Sequence, residues 1–251
     1  MSKKKKKEKV EAKTFKHSGD LGDIIFSLPV IKAMGKGILY LDPKGGEEEP
    51  LVTWGNGLFT STKMSEERIE SIKELLEYQD YIEEVRLWAG EEVDYNLDMF
   101  RMHIRYNNLT DSHLAAFGIE FSHRDDPWLT VPAAIIDDVE KDVCFARSCR
   151  YHGNYSFWET LDRDVVKKGF FLGFKEEYEQ FKYTYPHMSE VPLREVQNLL
   201  EMAQVISGCD IFMGNQGLPH AIAEALKKPM LNEVYRPYPA AVFHREDAKY
   251  V

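Results

Sequence analysis

Short apolar runs alternate along this chain with amphipathic stretches, and that alternation predicts strands separated by helices. Near the start, KTFKHS (residues 13–18) reads as a strand. LGDIIFSLPVIKAM (21–34) reads as a helix with Ile24, Ile25, Leu28 and Ile31 apolar. Pro29 inside that pattern predicts a bend or an early break. GILYLDP (37–43) is a second strand closed by Pro43, and residues 43–62, rich in Gly, Glu and Thr, read as a loop. SEERIESIKELLEYQ (65–79) is an amphipathic helix with Ser65 as its cap and acids in its first turn. EEVRLWAG (83–90) and VDYNLDM (93–99) look like strands. TDSHLAAFGI (110–119) is a short helix capped by Thr110 or Asp111 and ended by Gly118, and PWLTVP (127–132) leads out of this half.

A second series starts near residue 140. KDVCFARS (141–148) is a strand, NYSFWETLDRDVVKK (154–168) mostly helix and GFFLGF (169–174) a strand. KEEYEQFKYTY (175–185) and PLREVQNLLEMAQVISGC (192–209) are helices. DIFMG (210–214), LPHAIAEALKKP (218–229) and MLNEVYR (230–236) close the series as strand, helix and last strand. Strands alternating with helices predict parallel sheets covered on both faces. The expected architecture is therefore α/β, with two Rossmann-like domains over residues 14–135 and 136–251 facing each other across a cleft.

Composition narrows the class. A chain of 251 residues with 43% apolar and 12% aromatic residues fits an ordinary globular protein. Nothing approaches a membrane span or the apolar core of a secretory signal. Cys144, Cys149 and Cys209 form no CxxC pair, which fits free thiols in a reducing compartment, so a cytoplasmic location is expected. The net charge of −10 hides an asymmetry. Residues 1–13 carry seven lysines and two glutamates and read as a disordered basic tail. The remainder sets 25 basic against 40 acidic residues, a net of −15 that disfavours general nucleic-acid binding.

The chemistry concentrates in two strand-to-helix turns of opposite character. In Gly214-Asn215-Gln216-Gly217-Leu218-Pro219-His220 there is no carboxylate, and Pro219 suits the first helical position. Free amides there, with the positive end of the helix dipole, make a natural anion site. The first turn, Gly19-Asp20-Leu21-Gly22-Asp23, lacks the GxGxxG spacing of a dinucleotide site, although Gly19 and Gly22 would let a backbone approach phosphate. Asp20 or Asp23 at a helix start is either a cap or, at the mouth of a cleft, a general base. One half thus offers a carboxylate to an acceptor, the other amide donors to a diphosphate.

These stretches resemble a known family. SGDLGDIIFSLPVIKAM is similar to the N-terminal signature of glycosyltransferase family 9, the ADP-heptose:lipopolysaccharide heptosyltransferase family. LLEMAQVISGCDIFMGNQGLPHAIAEALKKP is similar to its C-terminal signature. The resemblance implies a GT-B fold and inverting, metal-independent transfer from a nucleotide-diphosphate sugar, with no further cofactor. It implies Asp23 as base and places the donor diphosphate against Gly214, Asn215, Gln216, Gly217 and His220. The family usually has Asp where Gln216 stands, and its Lys-Arg pair after the first strand of the second domain is absent from ARSCRYHGNYSFW.

Other residues extend the set. Arg147 and Arg150, with His152, follow a strand where ligands meet parallel sheets, and a cation there would steady a departing diphosphate. Glu224, one turn after His220, is a candidate for ribose hydroxyls or, with His220, for a metal. Glu233 follows the last strand and is read either as facing the nucleoside or as a surface residue, and WLTVP and YRPYP carry aromatics suited to a base or to core packing. His103 and His113 read as structural. The function expected is an inverting glycosyltransferase acting on a hydroxyl of a glycan, a small molecule or a hydroxylated DNA base. The alternative is a non-catalytic nucleotide-sugar-binding module.

Overall fold

The computed structural model describes residues 12–43, 52–54, 57–59, 64–103, 108–137, 142–153 and 155–251. The lysine run expected to be a disordered tail lies outside them, except that Lys13 opens the first strand. The N-terminal lobe contains β1 (Lys13–His17), α1 (Leu21–Met34), β2 (Gly37–Leu41), β3 (Val52–Trp54), β4 (Gly57–Phe59), α2 (Glu66–Glu77), β5 (Ile82–Leu87), β6 (Tyr95–Asn96) and α3 (Leu109–Ala116). The C-terminal lobe contains β7 (Val143–Ala146), α4 (Tyr155–Glu159), α5 (Arg163–Lys167), β8 (Gly169–Leu172), α6 (Lys175–Thr184), β9 (Leu193–Arg194), α7 (Leu199–Gly208), β10 (Ile211–Asn215), α8 (Leu218–Ala225), β11 (Met230–Glu233) and β12 (Ala248–Tyr250).

Both main sheets are parallel throughout. The first runs β5-β2-β1-β6 and the second β12-β11-β10-β7-β8-β9. Counted along the chain, the second sheet has the 3-2-1-4-5-6 order of a dinucleotide-binding fold, and the first has its 3-2-1-4 part. Each sheet therefore has a point where the strand order reverses: between β1 and β6, and between β7 and β10. At such points the loops beyond the strand ends diverge and leave a crevice. β7 is buried at every residue, as a central strand covered on both faces should be.

Several elements differ from the sequence reading for local reasons. Within the stretch read as a loop, β3 and β4 pair antiparallel. The helix expected over 192–209 begins only at Leu199, where Asn198 Oδ1 accepts from the Glu201 amide, because Leu193–Arg194 is taken into the sheet beside β8. Asp162 caps α5 and divides the helix expected over 154–168. α3 is capped by Asn108 rather than Thr110 or Asp111. VDYNLDM is a strand only at Tyr95–Asn96 and then a 3-10 helix, Leu97–Met102.

α1 runs unbroken through Pro29. Proline cannot donate to the carbonyl four residues back. Here that carbonyl, Ile25 O, accepts instead from the indole Nε1 of Trp128 at 3.0 Å. Trp128 is 1% exposed and its own backbone N–H donates to Ala225 O at the end of α8 at 3.0 Å. The Tyr81 hydroxyl donates to Trp128 O. WLTVP therefore serves core packing: its tryptophan is a peg between the two lobes. One apolar core joins them, running through Ile24, Leu28, Trp128, Ala221, Ile222 and Phe243. The C-terminal stretch crosses back onto the first lobe, with Leu109 N donating to Ala240 O at 2.7 Å and Asn108 Nδ2 to Val242 O at 2.7 Å.

Candidate active site

The first strand-to-helix turn is shaped by steric need. A side chain at Gly19 would lie 2.6 Å from His17 Cε1 and 2.9 Å from Asp23 Oδ2, so only glycine lets imidazole and carboxylate close on this turn. The Gly19 amide donates to His17 Nδ1 at 2.8 Å. A Cβ on Gly22 would come within 4.0 Å of the Ala221 methyl, which sets the first turn of α1 against the first turn of α8.

The two aspartates divide the roles left open by the sequence. Asp20 occupies the N-cap position of α1, yet its side chain makes no capping hydrogen bond. It points across the crevice to Arg150 Nη1, 3.8 Å away. Asp23, in the first turn of α1, is only partly exposed. Burial, with the Asp20 carboxylate beside it, raises its pKa from 3.8 to about 6, held back by Arg101, by a backbone hydrogen bond at Asp20 and by Arg150. The phenols of Tyr151 and Tyr238, both from the second lobe, are pushed up by burial and feel the Asp23 charge. Asp23 thus faces groups of the opposite lobe.

Behind this turn, at the strand-order reversal of the first sheet, lies Asp98, which the sequence reading passed over. It accepts from Ser18 N at 3.0 Å, from Arg101 Nη1 at 2.5 Å and from Lys16 Nζ at 3.3 Å. Its pKa is held far below the usual carboxylate range, against the cost of burial, by His17, Ser18 and Arg101. Asp98 fixes the backbone ahead of Asp20 and holds the guanidinium that faces Asp23. Its place beside β1 follows from strand order alone, which no local pattern carries.

In the second lobe the amide side chains act as staples. Asn215 Oδ1 accepts from Ser148 N at 2.8 Å, and its Nδ2 donates to Arg150 O at 2.6 Å and to Ser148 O at 3.2 Å. This clamp holds the loop after β7, including Tyr151 at φ 58°, a left-handed conformation that costs a non-glycine residue energy. Gln216 Nε2 donates to Tyr238 O at 3.0 Å while its Oε1 accepts from Tyr235 N at 2.8 Å. An aspartate accepts but does not donate, so the departure from the family pattern at Gln216 has a use here. A Cβ on Gly214 would lie 2.6 Å from the Phe212 ring and 2.7 Å from Ala146 O, so glycine lets β10 and β7 end this close together.

The N-cap residue of α8, Gly217, has extended backbone and no side chain to cap the helix; Pro219 is the helix's second residue rather than its first. The staples place Tyr151, Tyr235 and Tyr238 in one cluster, with ring centroids 5.9 and 6.4 Å from Tyr151. Beside it a cavity of about 430 Å³ is lined by His152, Gly153, Tyr235, Arg236 and Pro237.

Four expected residues stand elsewhere. Arg147 is buried and committed to Glu233, with Nε 2.9 Å and Nη2 3.3 Å from its carboxylate. Glu233, far from being a surface residue, also accepts from Gly153 N at 2.6 Å and Trp158 Nε1 at 2.7 Å. Glu224 is buried between Lys227 Nζ at 2.6 Å and Arg245 Nε at 3.0 Å, which removes it from the ribose and from a metal. The His220 ring lies buried against Phe26 and Tyr250. Burial, and then Arg245, lowers its pKa to about 3, so its ring is neutral and leaves only its backbone to the turn. His113, as expected, is a packing residue, stacked on Phe100 at 4.1 Å. No group of three or more His, Cys, Asp or Glu converges on a possible metal position among the described residues. No described helix is long and apolar enough to cross a membrane.

Two Rossmann-ordered parallel sheets with their reversal points facing one crevice define a GT-B-like fold. No family model and no curated protein matches the sequence. Among solved structures, the fold matches the glycosyl transferase family 9 protein from Veillonella parvula with a TM-score of 0.54. Identity is 11%, over 95% of this chain and 84% of that one. It also matches E. coli heptosyltransferase WaaC with ADP-2-deoxy-2-fluoro heptose, with a TM-score of 0.52 and 10% identity, over 95% of this chain and 92% of that one. The WaaC structure with ADP gives a TM-score of 0.52 and 10% identity, with 95% and 89% covered. What these chains share at such identities is the fold. The likeness carried by two motifs thus extends to the whole architecture.

Proposed function

We propose that this chain is an inverting, metal-independent glycosyltransferase that moves a sugar from a nucleotide-diphosphate donor to a hydroxyl acceptor. The observation that carries this reading is Asp23: a carboxylate of about 6 on one lobe, facing Arg150, Tyr151 and Tyr238 of the other. A base poised near neutral pH takes a proton best when it is neither fully solvated nor tightly paired. WaaC, a structure of the same fold, is described with ADP and with a fluorinated ADP-heptose, which supports a nucleotide-sugar donor here.

In this mechanism Asp23 accepts the acceptor's hydroxyl proton as that oxygen attacks C1 of the sugar. The C1–O bond to the diphosphate breaks, and its electron pair leaves with the diphosphate. Arg150 and the uncapped start of α8 steady that growing charge. The cavity beside Tyr235 and Arg236 is of a size that suits the nucleoside, with tyrosine faces available to its base. Asp23 then loses its proton to solvent.

The test is a thermal-shift screen of ADP-, UDP-, GDP- and CDP-sugars followed by turnover assays with the ligands that stabilise. A ligand at about a hundred times its Kd adds roughly 2.7 kcal/mol. Asp23→Asn should abolish transfer and leave donor binding intact. Donor binding without turnover in the wild type would make the chain a nucleotide-sugar-binding module, and no stabilisation by any donor would defeat the reading altogether.

A further inference from the structure

Asp20 carries an arrangement that capping does not explain. A carboxylate at an N-cap normally accepts from the free amides of its own helix. This one makes no such bond and faces the Arg150 guanidinium of the other lobe at 3.8 Å, both side chains 43% exposed. An ion pair that long and that wet is weak and easily exchanged. A diphosphate brings more charge and several acceptor oxygens, and guanidinium binds such groups in paired contacts.

We propose that Asp20 is a positioning residue that couples donor arrival to the base: it holds Arg150 in the empty cleft, and an incoming diphosphate takes Arg150 over, leaving the Asp20 carboxylate uncompensated beside Asp23. The inference rests on the transfer reading above and adds a role to it. Asp20 lies three residues before Asp23, on the same turn. The other groups facing Asp23 are Arg101 from the 3-10 helix after β6, Tyr151 and Tyr238 from the second lobe, and the His17 imidazole that closes on the same turn at Gly19. Once Arg150 is engaged by phosphate, Arg101 alone of the two guanidiniums still offsets the pair of carboxylates. Two like charges in one turn favour proton uptake by one of them. Asp23 therefore becomes the stronger base when the donor is in place.

The test titrates inorganic pyrophosphate, ADP, UDP and GDP into the intact protein by calorimetry at neutral pH, comparing wild type with Asp20→Asn, Asp20→Glu and Arg150→Gln. Without its rival for Arg150, Asp20→Asn should bind pyrophosphate on the order of two- to fivefold more tightly. Asp20→Glu should restore the wild-type value, and Arg150→Gln should weaken binding. In turnover, Asp20→Asn should move the acid limb of kcat to lower pH and lower kcat, with KM for the donor unchanged or reduced. A merely structural Asp20 would weaken binding when lost and leave the limb in place. If the wild type binds a diphosphate and Asp20→Asn binds it no more tightly, the coupling is refuted while the transfer reading stands. If the wild type binds none of these ligands, both fall.

Discussion

Replacing Asp23 by Asn should make this protein more stable while removing its activity. The native pKa of about 6 lies above the ordinary 3.8 because burial and Asp20 penalise the charged form. Between those two values the folded chain holds a proton that the unfolded chain has released, so stability falls as pH rises from about 4 to about 6 and stays reduced above that. Each tenfold change in acidity is worth about 1.4 kcal/mol, which sets a ceiling of about 3 kcal/mol. Asp23 keeps some contact with water, so about 1–2 kcal/mol of that should be realised. Asn imitates the protonated side chain and carries no such penalty. In a chain of this size that corresponds to a melting temperature higher by about 3–6 °C at neutral pH. The gap should close at pH below about 4, where both side chains are neutral. Differential scanning fluorimetry across pH reads both effects. An Asp23→Asn protein that melts at or below the wild-type temperature at neutral pH would refute the account of Asp23 as a strained base. It would make Asp23 an ordinary supporting residue of α1.

The same carboxylate predicts that kcat/KM rises with pH through a single limb near 6 and then levels, read from initial rates in buffers of constant ionic strength, while the limb of kcat lies higher because the bound donor strengthens the base. Trp128→Phe removes the donor that Pro29 cannot supply to Ile25 O, and the unsatisfied carbonyl together with lost volume should cost about 2–4 kcal/mol of unfolding free energy, read as a lower urea midpoint. Glu233→Gln leaves the Arg147 guanidinium buried without its charge partner. It should cost about 3–5 kcal/mol and raise KM for the donor, because Gly153 beside the cavity is tethered to the same carboxylate.

The two candidate turns could be read in the sequence because their chemistry is local. Gly19 to Asp23 and Gly214 to Gly217 announce a strand end, a close backbone approach and a helix start within a few residues, and parallel α/β architecture follows from the alternation around them. What decides the site from a distance could not be read that way. Asp98 comes beside β1 only through the order of the strands. Glu233 and Arg147 look like ordinary loop charges until the second sheet closes and buries both. His220 matches the family's motif, yet packing against Phe26 and Tyr250 makes its ring part of the core. Pro29 predicted a break in α1 because the residue that rescues its orphaned carbonyl lies at position 128, in a segment that looked like a mere exit from the first lobe. Residues Leu193–Arg194 have helical neighbours in sequence but an open strand edge in space, and the edge won.

The apolar seam through α1, Trp128 and α8 has a mechanical consequence. Swinging the lobes apart on a hinge would pull that peg out of oil into water, so traffic into the crevice falls to the side chains at its rim, Arg150 and Tyr238 foremost. The two halves should likewise melt in a single calorimetric peak, and a protease should never release one of them whole.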